Sequence, residues 1–294
     1  MYRKLSQLLE AAKNGERKKI VLVGAEDVEG LKALKVAQNE GIADVILIGG
    51  EQARREAEQL DMEFDFVEVS SDVEAAHMGA KLVGEGKAHV LMKGLVKTST
   101  LLKAVLDQSY GLRKGDLLSH VAVLESPVLD RLVLLSDGGM VIRPSLEQKV
   151  AIIKNAVDVA MKLGMENPRV ACIAAVEVVN PDMPETVEAA VLSQMNKRGQ
   201  IKGCVVDGPL GLDNALSEFA AKVKRVEGEV AGRADILIVP DIHSGNFLGK
   251  SVVYLAGGKI AGVVVGARAP IVIVSRADTA ESKLYSIALG IVLS

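Results

Sequence analysis

An apolar run, Ile271 to Val274, ends in Ser275-Arg276, and Asp278, Thr279 and Glu281 follow closely. A hydroxyl beside a guanidinium suits a phosphoryl group, because the guanidinium is a planar fork of N–H donors that matches an anion's oxygens. The spacing predicts a helix over Thr279–Val292, and a helix start aims free N–H groups and the positive end of its dipole at the same anion. Asp278 and Glu281 admit two readings. They can cap that helix, as an acidic N-cap with Glu three residues on. Glu281 can equally serve as a general base facing the same crevice.

Other apolar runs end in the same kind of residue. His89–Met92 leads into Lys93-Gly94-Leu95-Val96-Lys97-Thr98, and Leu132–Leu135 leads into Ser136-Asp137-Gly138-Gly139. Ile201–Val206 leads into Asp207-Gly208-Pro209, and Ile236–Val239 into Pro240-Asp241-Ile242-His243-Ser244-Gly245-Asn246. Any one such loop is explained by turning and capping. Together they point to an anion site at strand tips, where open parallel sheets bind ligands.

The elements that must position these loops are legible as an alternation. Short aliphatic runs, several apolar throughout, read as strands covered on both faces. Between them lie amphipathic stretches such as Val28–Asn39, Val73–Gly84, Leu146–Leu163 and Asn214–Val223, many closed by glycine. Gly41-Ile-Ala-Asp-Val45, Gly86-Lys-Ala-His-Val90 and Gly232-Arg-Ala-Asp-Ile236 repeat one pattern, read as a single helix-to-strand loop geometry. Breaks at Ser109–Ser119 and Gly257–Gly266 place a middle domain, residues 119–265, inside one built from residues 1–118 and 266–294.

Composition narrows the function classes. The chain has 294 residues, 49% of them apolar, and a formal charge of −3, which argues against a general nucleic-acid binder. Aromatic residues make up 3% and the short basic runs carry none between them, so base stacking has no platform. Cys172 and Cys204 sit inside apolar runs, without the spacing of a zinc site. Met1 to Glu10 is charged where a signal peptide needs an apolar stretch, and no apolar run approaches a membrane span. A cytoplasmic protein without a membrane partner is therefore expected. There is no Walker A sequence, no Gly-x-Ser-x-Gly elbow and no complete dinucleotide fingerprint. Of the four histidines, only His243 falls in a strand-tip loop.

The loops taken together resemble the phosphate acetyl/butyryltransferases, and the butyryl branch most. The resemblance rests on Pro240 to Asn246, Asp207-Gly208-Pro209, Ser275-Arg276-Ala277-Asp278-Thr279-Ala280-Glu281-Ser282-Lys283, Lys93-Gly94-Leu95 with Gly111-Leu112-Arg113, and Ser136 to Gly139. It covers the chain from about Ile20 onward. It implies reversible conversion of acyl-CoA and inorganic phosphate to acyl phosphate and CoA. It also implies an α/β fold of two three-layer α/β/α domains flanking a cleft, like isocitrate and isopropylmalate dehydrogenases, and a homodimer or higher homo-oligomer.

By the same resemblance Ser275 and Arg276 bind and polarise the phosphoryl group. An acidic pair follows in the acetyl branch and supplies the thiol's base; here the stretch reads Glu281-Ser282, leaving Glu281 as the candidate. Lys93 and Thr98, Asp137, Asp207, and Asp241 with His243, Ser244, Gly245 and Asn246 are the candidate substrate-binding residues. Lys97, Lys103, Arg113 and Lys114 are candidates for the phosphates of CoA. CoA enters as a substrate; no metal and no permanently bound cofactor are expected. The competing readings are a phosphate acetyltransferase, a metal- and nicotinamide-dependent dehydrogenase of the same fold, and a non-catalytic sensor of acyl-CoA or acyl phosphate.

Overall fold

Apolar runs buried from end to end build the sheets. The computed structural model describes residues 2–115, 117–275 and 278–294. The chain divides into two compact units, Lys4–Asp116 with Ala261–Ser294, and Leu117–Ile260 with the residues before Lys4. It opens with α1 (Leu5–Asn14), β1 (Lys18–Val23), α2 (Val28–Asn39), β2 (Ala43–Gly49), α3 (Glu51–Gln59), β3 (Asp65–Glu68), α4 (Asp72–Gly84), β4 (Val90–Lys93) and α5 (Thr98–Val105). It then builds β5 (Ser119–Glu125), β6 (Val133–Ser136), α6 (Leu146–Lys162), β7 (Arg169–Ile173), α7 (Pro184–Lys197), β8 (Val205–Leu210), α8 (Leu212–Leu216), α9 (Glu218–Lys224), β9 (Ile236–Ile238) and α10 (Ile242–Tyr254). It closes with β10 (Lys259–Val265), β11 (Ile271–Val272) and α11 (Ala280–Leu293).

In the first unit the strand order is β3-β2-β1-β4-β11-β10. All neighbours run parallel except β10, which is antiparallel to β11. Ile20, Val21, Leu22 and Val23 of β1 are all fully buried, which requires cover on both faces. Ile20 and Leu22 join a core with Leu31 and Leu34 of α2 and Ile287 and Ile291 of α11. Val23 faces α4 on the other side, where a methyl on Gly79 would come within 2.4 Å of it. The parallel strands β1, β2, β4 and β11 therefore all end on one edge, and α5 and α11 start there.

The second unit has the order β5-β6-β9-β7-β8. β6, β9, β7 and β8 are parallel and β5 is antiparallel to β6. Leu124, Val133, Leu210 and Leu237 form one face of its core, with Leu248 and Val252 of α10 packed on them. Among the described residues no helix is long and apolar enough to cross a membrane.

Three expectations change. The strand predicted over Ile201–Val206 is instead Val205–Leu210, so Asp207-Gly208-Pro209 lies within it and not after it. Proline lacks an N–H for a ladder, which normally marks a turn; β8 tolerates it because it is the outer strand, beside a register shift in β7. The helix predicted over Asn214–Val223 is two, broken at Ser217, whose side chain accepts from the Ala220 N–H to cap α9. The repeated glycine motif also splits. Gly41 and Gly86 close α2 and α4 with φ of 74° and 73°. Gly232, at 76°, follows no helix directly and donates its N–H to the Asn214 carbonyl.

Candidate active site

In the first unit, the tip of β11 leads into Ser275, and Arg276 and Ala277 lie outside the described residues. The Ser275 N–H donates to Asp278 Oδ2 at 2.7 Å, closing the turn ahead of α11. Asp278 therefore holds the loop, and the helix cap is Thr279, whose Oγ1 accepts from the Ser282 N–H at 3.1 Å. This corrects the capping reading of the acidic residues. Glu281 is exposed in the first turn of α11 and accepts a hydrogen bond from Tyr285 Oη at 3.0 Å. The Tyr285 ring is buried, so its hydroxyl is a fixed donor that orients the carboxylate.

β4 ends at Lys93, whose Nζ donates to the Gly94 and Val96 carbonyls at 3.0 and 3.1 Å. That fixes the ammonium over the turn into α5. Exposed Thr98 is the first residue of that helix and exposed Lys97 precedes it. Lys103, Arg113 and Lys114 are also exposed. Glu26, beyond β1, accepts from the Gly50 N–H at 2.7 Å and so ties the β1 and β2 tips together. Sequence reasoning missed it, because a single Glu beyond a strand carries no local signal.

In the second unit the tip of β6 is held by buried Asp137. Its Oδ1 accepts from the Gly139 and Met140 N–H groups at 2.8 and 2.7 Å, and its Oδ2 from the His120 N–H at 3.0 Å. Ser136 Oγ donates to the His120 carbonyl at 2.7 Å. His120 thus belongs to this loop, brought there by the antiparallel run of β5.

Asp241 caps α10, accepting from the Ser244 N–H and Oγ, both at 2.8 Å. The Ser244 N–H is the largest influence holding the Asp241 carboxyl below its usual range. His243, Ser244 and Asn246 occupy the first turn of α10, with His243 and Asn246 exposed. Asp207, in contrast, lies within β8, where Oδ1 accepts from the Gly208 N–H at 2.9 Å and the Ser193 hydroxyl at 3.4 Å.

Gly138 and Gly245 bring the two tips of this unit into backbone contact. A methyl on Gly245 would lie 2.6 Å from Gly138 Cα, and one on Gly138 would lie 2.8 Å from the Gly245 carbonyl carbon. Both neighbours are main chain and cannot rotate away. Gly245→Ala is expected to destabilise the unit by ~1–3 kcal/mol, the usual cost of overpacking, and to lower activity with it. Urea unfolding checks this; a wild-type midpoint would show that the contact constrains nothing.

Neither cysteine is at a strand tip poised to react. Burial pushes the Cys172 thiol up to about 12 and the Cys204 thiol up to about 11. Both are expected to resist a thiol reagent in the native protein and to react after denaturation. Rapid labelling under native conditions would contradict that. Among the described residues no group of three His, Cys, Asp or Glu side chains is arranged to hold a metal ion.

The model of the family described as phosphate acetyl/butaryl transferase matches residues 4–72 and 68–291, including every loop above. The chain belongs to this family. It is 48% identical over 293 residues to the probable phosphate butyryltransferase of Bacillus subtilis (strain 168), covering 99% of this chain and 98% of that one. It is 45% identical to the phosphate acetyltransferase of Thermotoga maritima, covering 99% of both chains. Among solved structures, a branched-chain phosphotransacylase from Enterococcus faecalis V583 aligns with a TM-score of 0.86 and 35% identity, over 94% of this chain and 98% of that one. That phosphotransacylase shares the α/β architecture described above over nearly the whole chain.

Proposed function

We propose that the chain reversibly transfers a short acyl group, butyryl or similar, between CoA and inorganic phosphate, by direct thiolate attack in a ternary complex. The observation that carries this reading is the family match across residues 4–72 and 68–291, which includes all the strand-tip loops. In the direction of acyl-CoA formation, Glu281 takes the thiol proton and the thiolate attacks the acyl carbonyl carbon. The C–O bond to phosphate then breaks, phosphate leaves with the bonding pair, and the proton passes to it or to water. An ordinary thiol has a pKa of about 8.5, so a positioned carboxylate base is worth ~10²–10⁴ near neutral pH.

Ser275 and Arg276 bind the phosphoryl oxygens and offset their charge as that bond breaks or forms. Lys93 at the tip of β4, Thr98 at the start of α5, and His243, Ser244 and Asn246 at the start of α10 are the proposed substrate contacts. Asp137, Asp207, Asp241 and Gly245 shape the loops that present them. Lys97, Lys103, Arg113 and Lys114 are offered to the phosphates of CoA.

The burial of both cysteines supports a route without an acyl-enzyme, with proximity of the two substrates supplying the rest of the advantage. The protein is proposed to act in the cytoplasm, as a homodimer or higher homo-oligomer, with no resident cofactor. Initial rates with acetyl-, propionyl-, butyryl- and isobutyryl-CoA test the acyl group, since each step in an apolar pocket is worth ~1–3 kcal/mol. A preference for acetyl-CoA would replace the butyryl reading with the acetyl one.

A further inference from the structure

Lys283, in the first turn of α11, is only 3% exposed. It shares a helix face with Ile287 and Ile291, which join the core with Leu31 and Leu34 of α2. An aliphatic residue would fill that position without the cost of taking an ammonium out of water. The helix dipole adds to the cost, because its positive end repels a cation in the first turn. The other buried lysine among the described residues, Lys149, hydrogen-bonds directly to the Glu188 carboxylate. Lys283 is held less closely. Its ion pair is to Glu29 Oε2 at 3.8 Å, too long for a hydrogen bond. Glu29 is exposed in the first turn of α2 and already accepts from Lys32 Nζ at 2.9 Å. Lys32 is the largest influence holding the Glu29 carboxyl below its usual range, with Lys283 a smaller one. The charge on Lys283 is therefore only partly balanced within the protein.

Its position says what that charge faces. Helices α2 and α11 follow the parallel strands β1 and β11, so both start at the strand-tip edge. The Lys283–Glu29 contact joins their first turns there, next to the loop from Ser275 to Glu281. That loop carries one cation, Arg276, against two carboxylates, Asp278 and Glu281. A phosphate dianion at Ser275 meets a segment of net negative charge unless another cation stands close by. Lys283 is the next cation along the chain, two residues beyond Glu281.

We propose that Lys283 supplies the positive charge that lets the start of α11 hold phosphate. It acts through its field, from the contact between α2 and α11, while Ser275 and Arg276 touch the phosphoryl oxygens. Glu29 sets the strength of that field by its loose hold on the ammonium. The proposal rests on the acyl-transfer reading above and adds a residue to its phosphate site.

Initial rates of the full chain at varied phosphate, with butyryl-CoA saturating, test this beside urea unfolding. Lys283→Met keeps a flexible apolar side chain in the buried position and removes the charge. It is expected to raise KM for phosphate about 10-fold, the worth of a unit charge acting across ~10 Å of partly screened protein. The KM for butyryl-CoA should change much less. The urea midpoint should stay level or rise, because no buried charge is left unpaired. Glu29→Gln removes the opposing carboxylate. It is expected to lower KM for phosphate several-fold and to lower the urea midpoint, since the buried ammonium then lacks its partner. Phosphate affinity and stability therefore separate, which a packing role for Lys283 would not produce. A wild-type phosphate KM in folded Lys283→Met, or in Glu29→Gln, would overturn the role of Lys283 alone. A wild type without phosphate-dependent thiol release would overturn the acyl-transfer reading and this role with it.

Discussion

Arg276→Ala is expected to lower kcat/KM for acyl phosphate, and for phosphate in the reverse direction, by about 10²–10³, the cost of removing a donor aimed at developing charge. The unfolding midpoint should stay at the wild-type value. Both flanks of the loop are anchored independently of Arg276, by the Ser275 N–H to Asp278 bond on one side and the Thr279 cap of α11 on the other. Arg276→Lys should recover only part of the loss, because an ammonium restores the charge but not the planar fork. Initial rates at varied phosphate, with CoA or acyl-CoA held constant, measure the effect. A variant with wild-type phosphate dependence would remove Arg276 from the phosphoryl site.

Glu281→Gln is expected to lower kcat by about 10²–10⁴, the usual worth of a positioned general base. The sign of the pH effect follows from the role. A base acts deprotonated, so the wild-type rate rises with pH as the carboxyl loses its proton. The Gln variant lacks that limb, and its remaining rate should rise with ionisation of the substrate thiol, around pH ~8.5. Stability should change little, because Thr279, rather than an acidic residue, caps α11. The pH–rate profiles of the two proteins make the comparison. If they coincide, Glu281 is only the hydrogen-bond partner of Tyr285.

The strand tips were legible because their signal is local. Apolar runs end in Lys93, Ser136 or Ser275, and glycine, hydroxyl and amide residues follow within a few positions. What escaped depends on contacts between distant segments. β5 is hard to read because nothing local tells which way a short strand runs; its antiparallel course carries His120 to the β6 tip, where Asp137 and Ser136 bond to its main chain. The glycines at 138 and 245 look like ligand-loop glycines until the two loops are brought together, when each proves to be the space the other's backbone needs.

The Gly208-Pro209 pair reads as a turn unless the strand holding it is known to be outermost in its unit. Glu281 fitted the spacing of a capping box, and Thr279 claimed that role one residue later than Asp278 would have. In each case the local spacing suggested a structural role that the three-dimensional geometry assigned differently.

The central claim is acyl transfer between CoA and phosphate, and release of free thiol from butyryl-CoA tests it most directly. With purified protein and no added metal or nicotinamide, thiol release should depend on inorganic phosphate and match the acyl phosphate formed, mole for mole. Binding of butyryl-CoA without phosphate-dependent thiol release would contradict the account.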